Sequence, residues 1–100
     1  MVKPKHRLYA CTGFEWDAGN ATKSWDRHDV SQSECEQVFF NQPLIVNRDR
    51  HHSDPEARYY GLGRTDASRL LFVCFTVRGE RIRVISARDT TPSETVRYES

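Results

Sequence analysis

Residues 58–88 carry seven arginines, Arg58, Arg64, Arg69, Arg78, Arg81, Arg83 and Arg88, opposed only by Asp66 and Glu80. All three lysines lie before residue 24. A purely solubilising surface mixes the two cations. Arginine alone offers a planar fork that fits phosphate oxygens and a flat face that stacks on bases. Spacing gives these groups a direction. Arg81 and Arg83 stand two apart, as do Arg58, Tyr60, Leu62 and Arg64 in turn, so each set shares one face of a strand. If the two faces coincide, one sheet surface presents arginine and tyrosine together. Single-stranded RNA asks for that mixture, because bases stack on rings while guanidiniums hold the backbone. The alternative is a solvated face with ordinary surface arginines.

His51-His52, with Asp49, Asp54 and Glu56 nearby, is the second constellation. Imidazoles beside carboxylates suit a metal site or general acid–base chemistry near neutral pH. Adjacent histidines point apart on extended backbone and no second ligand pair has metal spacing, which disfavours metal. Acid–base chemistry and a plain polar loop remain. His28 complements a helix dipole at a C-terminal end, and His6 stands in a lead-in. Cys11, Cys35 and Cys74 are far apart and form no C-x-x-C pair, so they read as small apolar residues in a reducing compartment. Trp16 and Trp25 read as core or partner contacts, and Phe39-Phe40 as core.

The elements that must position these groups follow from periodicity and caps. Phe14-Glu15-Trp16-Asp17 alternates like a short strand, and Asp17 can cap a helix over 18–28 whose first turn Gly19 and Asn20 weaken. Ser31 with Glu34 forms a capping box for a second helix, which Asn41-Gln42-Pro43 ends. Leu44-Ile45-Val46 begins a strand, and 47–57 is a polar loop. The segment 58–64 is a strand, where Gly61 and Gly63 invite a close approach to one face. The apolar run 70–77 is a central strand joined through Arg78-Gly79-Glu80 to its partner over 81–88. Thr91, Pro92 and Glu94 start a short final helix. Strands following strands and helices following helices indicate α+β. The expected architecture is a small antiparallel sheet of about four strands with two N-terminal helices and a short C-terminal helix. Residues 1–13 form a lead-in and 14–100 a single domain, as 100 residues allow. No apolar run is long enough to span a bilayer and no apolar signal region follows the basic N-terminus, so a cytoplasmic protein with no membrane partner is expected.

The ordered set of motifs resembles the BrnT family, ribonuclease toxins of type II toxin–antitoxin systems. The resemblance runs from about Phe14 to Tyr98. It rests on Phe14-Glu15-Trp16-Asp17, Arg27-His28-Asp29-Val30-Ser31 (similar to a family Lys-His-Gly-Val-Ser), Val38-Phe39-Phe40 and His52-Ser53 followed by Glu56 and Arg58. It is densest in Gly63-Arg64, 69–73, Arg78-Gly79-Glu80 and 81–88, and closes with Glu94 and Tyr98-Glu99. Departures are Asn20 and Ser24 in place of lysine and asparagine, Asp29 in place of glycine, Asp89 where a lysine is common, and a less basic terminal stretch.

The resemblance implies a RelE-like fold and RNA cleavage without metal or other cofactor. It implies neutralisation by a BrnA-like antitoxin with a ribbon-helix-helix domain, and contact with operator DNA only through that complex. Translation would be inhibited through the cut RNA. Cleavage by the RNA's own 2′-hydroxyl needs a base, an acid and cations at the phosphate. Arg64, Arg83 and Arg88 are assigned the phosphate, and His52 or Glu56 the base. His28, His52 or Tyr98 is the acid, with Arg58, Tyr60, Arg81 and His28 as RNA contacts. The rival from another class is a weak or inactive module that binds an antitoxin or RNA without chemistry. A net charge of +1 speaks against tight non-specific binding to duplex DNA. That total averages a basic segment and an acidic surround, so it leaves room for a local RNA site.

Overall fold

The computed structural model of the chain describes residues 11–51 and 56–100; residues 1–10 of the expected lead-in and 52–55, with His52 and Asp54, lie outside the described residues. In chain order the elements are β1 (Gly13–Phe14), α1 (Lys23–His28), α2 (Gln32–Gln37), β2 (Ile45–Asp49), β3 (Arg58–Arg64), β4 (Leu70–Arg78), β5 (Arg81–Asp89) and α3 (Pro92–Glu99). They build an α+β fold around one five-stranded sheet of order β1-β5-β4-β3-β2. The four long strands are antiparallel, as expected. The sheet is nevertheless mixed, because β1 adds a parallel edge with Gly13 opposite Arg81 and Phe14 opposite Ile82. Two further bonds, Thr12 N–H to Glu80 O and Glu15 N–H to Ile82 O, extend that ladder.

The β4–β5 hairpin turns on Gly79, whose φ of +60° suits the tight connection. Further along, Phe75 stands opposite Val84 while Cys74 stands opposite Ser86, so Ile85 is an extra residue in β5, a β-bulge. One face of the sheet is the core. Leu71, Val73, Phe75, Val84 and Ala87 bury there against Val30, Cys35 and Val38 of the α2 region. Burial pushes the Cys35 thiol up to about 12, in keeping with an inert packing role. Gly61 and Gly63 turn toward this same face. A Cβ on Gly63 would lie 2.9 Å from the Val38 Cβ at the C-cap of α2, and one on Gly61 would lie 3.3 Å from the Leu44 Cδ1, so these are the close approaches foreseen for the two glycines.

Three local readings need correction. The first helix begins at Lys23, not near residue 18. Asp17 does not cap it; its carboxylate accepts from Gly19 N–H and from Arg83. The polar loop is shorter than read, since β2 runs to Asp49 by pairing with Arg58 of β3. Phe39 packs edge-on to Phe75 at 5.0 Å, but Phe40 is 76 % exposed. The helix stops at Gln37; both rings then lie edge-on to Phe14, at 5.6 and 6.2 Å, but only Phe39 also reaches Phe75.

The family departures have structural roles here. Asn20 is buried; its amide donates to Glu15 O and Val84 O and its oxygen accepts from Asp17 N–H, pinning the first loop to β5. Ser24 Oγ accepts from Ala87 N–H just past the bulge. Asp29 takes the left-handed conformation (φ 56°) that glycine adopts freely after a helix.

Candidate nucleic-acid interface

The second sheet face is where the arginines collect, and the register shows how. Arg58, Thr76 and Arg83 stand in one row across β3, β4 and β5; Tyr60, Cys74 and Ser86 form the next, and Leu62, Phe72 and Arg88 the one after. Arg78 opposite Arg81 ends the face at the hairpin. The faces carrying Arg58-Tyr60-Leu62-Arg64 and Arg81-Arg83 therefore coincide. Arg83 and Arg88 differ by an odd number of residues and would point to opposite sides of a regular strand. The Ile85 bulge brings Ser86 and Arg88 onto the face of Arg83.

Counting N–H donors sorts the arginines, since each guanidinium has five. Arg69 spends all of its donors on the fold. Nε and Nη2 grip Asp89, Nη1 reaches Glu34 and Asp29 O, and Nη2 also reaches His28 O. It ties the α1–α2 junction to the sheet. Arg78 holds Glu56 through Nε and Nη2 and Glu15 through Nη1. Arg83 is bound end-on by Asp17, with Glu15 on Nη1, and its side chain is only 15 % exposed. Arg88 is gripped end-on by Glu94 at 2.9 and 3.0 Å, and Nη1 also reaches Asp89 O. Its Nε–H and second Nη2–H have no acceptor among the described residues. They form a side-on fork suited to two phosphate oxygens. The Arg88 guanidinium lies 4.2 Å from the Phe72 ring, which also stacks on Tyr60 at 5.3 Å.

These pairs act on the acids. Hydrogen bonds from guanidinium hold Asp17, Glu56, Asp89 and Glu94 below the ordinary carboxylate range, from Arg83, Arg78, Arg69 and Arg88 respectively. Glu34 is held down first by the Ser31 backbone N–H of its capping box and then by Arg69. A carboxyl whose folded pKa is depressed contributes stability above its unfolded pKa, and loses it as pH falls through the folded one. The melting temperature should therefore hold from neutrality to roughly pH 5 and fall increasingly below the ordinary values of 3.8 and 4.5. Thermal denaturation across that range at constant ionic strength checks this; a flat profile down to about pH 2 would contradict it.

The residues expected at the site are scattered along the face. Arg81 is exposed at the hairpin end. Arg58 stands opposite Asp49. Arg64, at the far end of β3, donates from Nε to Gln42 O. Glu56 lies with Arg78, away from Arg88. Tyr98 is buried and its hydroxyl donates to Pro43 O at 2.7 Å. His28 and Arg88 both line a cleft between α1 and β4–β5. His52 lies outside the described residues. Sequence reasoning missed Lys23, Phe72, Ser86 and Glu94. Only Phe72 carried a signal, through its alternation with the buried Leu71 and Val73.

Residues 16–94 match the family model of the ribonuclease toxin BrnT of type II toxin–antitoxin systems. No curated protein gives a match. The matched span takes in α1, the four antiparallel strands β2–β5 and the Glu94 that grips Arg88, and by that match the chain belongs to the BrnT family of ribonuclease toxins.

Proposed function

We propose that the chain is an endoribonuclease that cuts RNA through the RNA's own 2′-hydroxyl, without metal, on the arginine face. Its action inhibits translation in the cytoplasm, and a BrnA-like ribbon-helix-helix antitoxin neutralises it; operator DNA is met only through that complex. The observation that carries this reading is Arg88, with one edge fixed by Glu94 and the other open beside the Tyr60–Phe72 stack. A base takes the 2′-hydroxyl proton, the oxygen attacks phosphorus, and the P–O5′ bond breaks. An acid protonates the departing oxygen, leaving a 2′,3′-cyclic phosphate and a 5′-hydroxyl. Arg88 meets the negative charge that builds on the phosphate, where a prepositioned donor contributes most.

Arg83 stands four β4 positions from Arg88, or about 13 Å along the sheet. It therefore serves another phosphate of the same strand, with Arg81, Arg58 and Arg64 along the backbone and Tyr60 under a base. His28, in the wall of the cleft that Arg88 also lines, is the proton donor. Glu56, committed to Arg78 and holding its proton weakly, makes a poor base, which leaves His52 in that role. Tyr98 would act as acid only by giving up its bond to Pro43.

Expression of the chain alone should arrest growth, and co-expression of the neighbouring gene should relieve it. The purified chain should cut RNA in the presence of EDTA and leave cyclic phosphate ends. Cleavage lost with EDTA and restored by a divalent ion would overturn the metal-free reading. One observation favours a binding module without chemistry: Arg69, Arg78, Arg83 and Arg88 are all paired with carboxylates already. A harmless chain that still co-purifies with the neighbouring gene product would establish that reading. Acidic segments of a partner would compete with RNA for the same guanidiniums.

A further inference from the structure

The cleft between α1 and β4–β5 encloses about 220 Å³. Its wall from the helix carries Lys23, Arg27 and His28, and its wall from the sheet carries Phe72, Ser86 and Arg88. That volume lies below the usual range for drug-sized ligands and suits the sugar and phosphate of one nucleotide rather than a length of strand. Charge narrows the choice. Arg88 is neutralised by Glu94, whereas Lys23 and Arg27 have no ion pair among the described residues. Lys23, the first residue of α1, lines the cleft one turn before Arg27. The Ser86 hydroxyl makes no side-chain hydrogen bond among the described residues. The cleft thus offers two uncompensated cations, an open guanidinium fork and a hydroxyl. A phosphodiester carries one negative charge, while a phosphomonoester carries about 1.5 to 2 at neutral pH.

We propose that this cleft is a one-nucleotide subsite for a terminal phosphomonoester, held by Lys23, Arg27 and the open edge of Arg88, with the nucleoside against Phe72. The chain then binds nucleoside monophosphates reversibly, and such ligands compete with RNA. The competition rests on the proposed nuclease reading, because it places the reacting phosphate at Arg88; the binding itself does not.

The test is equilibrium titration of the purified full chain, by calorimetry or NMR, with 3′-AMP, 5′-AMP, adenosine and inorganic phosphate. At neutral pH at least one monophosphate should bind ten-fold or more tightly than both adenosine and inorganic phosphate, and the better isomer shows which strand end the cleft accepts. Lys23→Ala/Arg27→Ala, a change confined to half-exposed and exposed positions, should weaken it at least ten-fold without moving the melting temperature. Adenosine or free phosphate binding as tightly as the monophosphates, or unchanged binding in the double variant, would overturn the inference. RNA cleavage is measured on the same samples. Cleavage without monophosphate binding overturns the subsite and leaves the nuclease standing; binding without cleavage of any RNA does the reverse.

Discussion

Arg88→Ala is expected to lower RNA cleavage about 10²–10³-fold, the scale seen when one prepositioned donor is removed from a developing oxyanion. The loss is large because the geometry is fixed in advance. Glu94 holds the guanidinium end-on, Asp89 O takes another Nη1–H, and Phe72 lies against its face. No reorganisation is then needed when charge builds on the phosphate. Folding should largely survive, since the Thr91–Glu94 capping box stays in place to start α3. Arg88→Lys separates charge from shape. A lysine ammonium can keep Glu94 company or approach a phosphate, but it has no second edge with which to do both. It should restore melting temperature and leave cleavage within about ten-fold of the alanine variant. Arg83→Ala, acting on a different phosphate, should cost no more than roughly ten-fold. Rates from single-turnover cleavage of one oligoribonucleotide check all three. Full cleavage by Arg88→Ala would remove Arg88 from the mechanism.

Gly63→Val should destabilise the fold by about 3 kcal/mol, at the upper end of overpacking costs. For a chain of this size that corresponds to a fall in melting temperature of roughly 10–20 °C. A bare Cβ at Gly63 already meets the Val38 Cβ at 2.9 Å, the Leu44 Cδ1 at 3.2 Å and the Val38 O at 3.3 Å. Leu44 can rotate away. Val38 is fully buried at the end of α2, and its carbonyl belongs to the backbone, so α2 itself must move off the sheet. Gly13→Ala is the control, since nothing lies within 4 Å of a Cβ there. It should leave the melting temperature within about 2 °C. Equal stability of the Gly63 and Gly13 variants would show that α2 does not press on β3.

The fold was largely legible because its signals are local. Both capping boxes lie where Ser31 with Glu34 and Thr91 with Glu94 put them. The alternation of β3 and the long apolar run of β4 needed no knowledge of distant residues. What escaped the sequence was relational. Nothing in residues 81–88 marks Ile85 as a bulge, since the extra residue exists only relative to the β4 register. The cleft joins α1 to β5 across most of the chain, so Lys23 and Ser86 look unrelated until they are folded. Charge counting along the chain also misled in one respect. Half of the twelve acids outside residues 58–88 are partners of the arginines, with Glu15, Asp17, Glu34, Glu56, Asp89 and Glu94 each on a guanidinium.

That wiring across the chain orders events during synthesis. The helix wall of the cleft leaves the ribosome well before Ser86 and Arg88, and Glu94 follows them. The β1 edge likewise waits for β5 before it has a partner. A nascent or prematurely ended chain therefore carries α1 without the arginine it faces, and Arg88 without the carboxylate that aims it. The walls of the cleft meet once β5 has paired with β4, and the Arg88 edge within it is aimed only after Glu94 has followed.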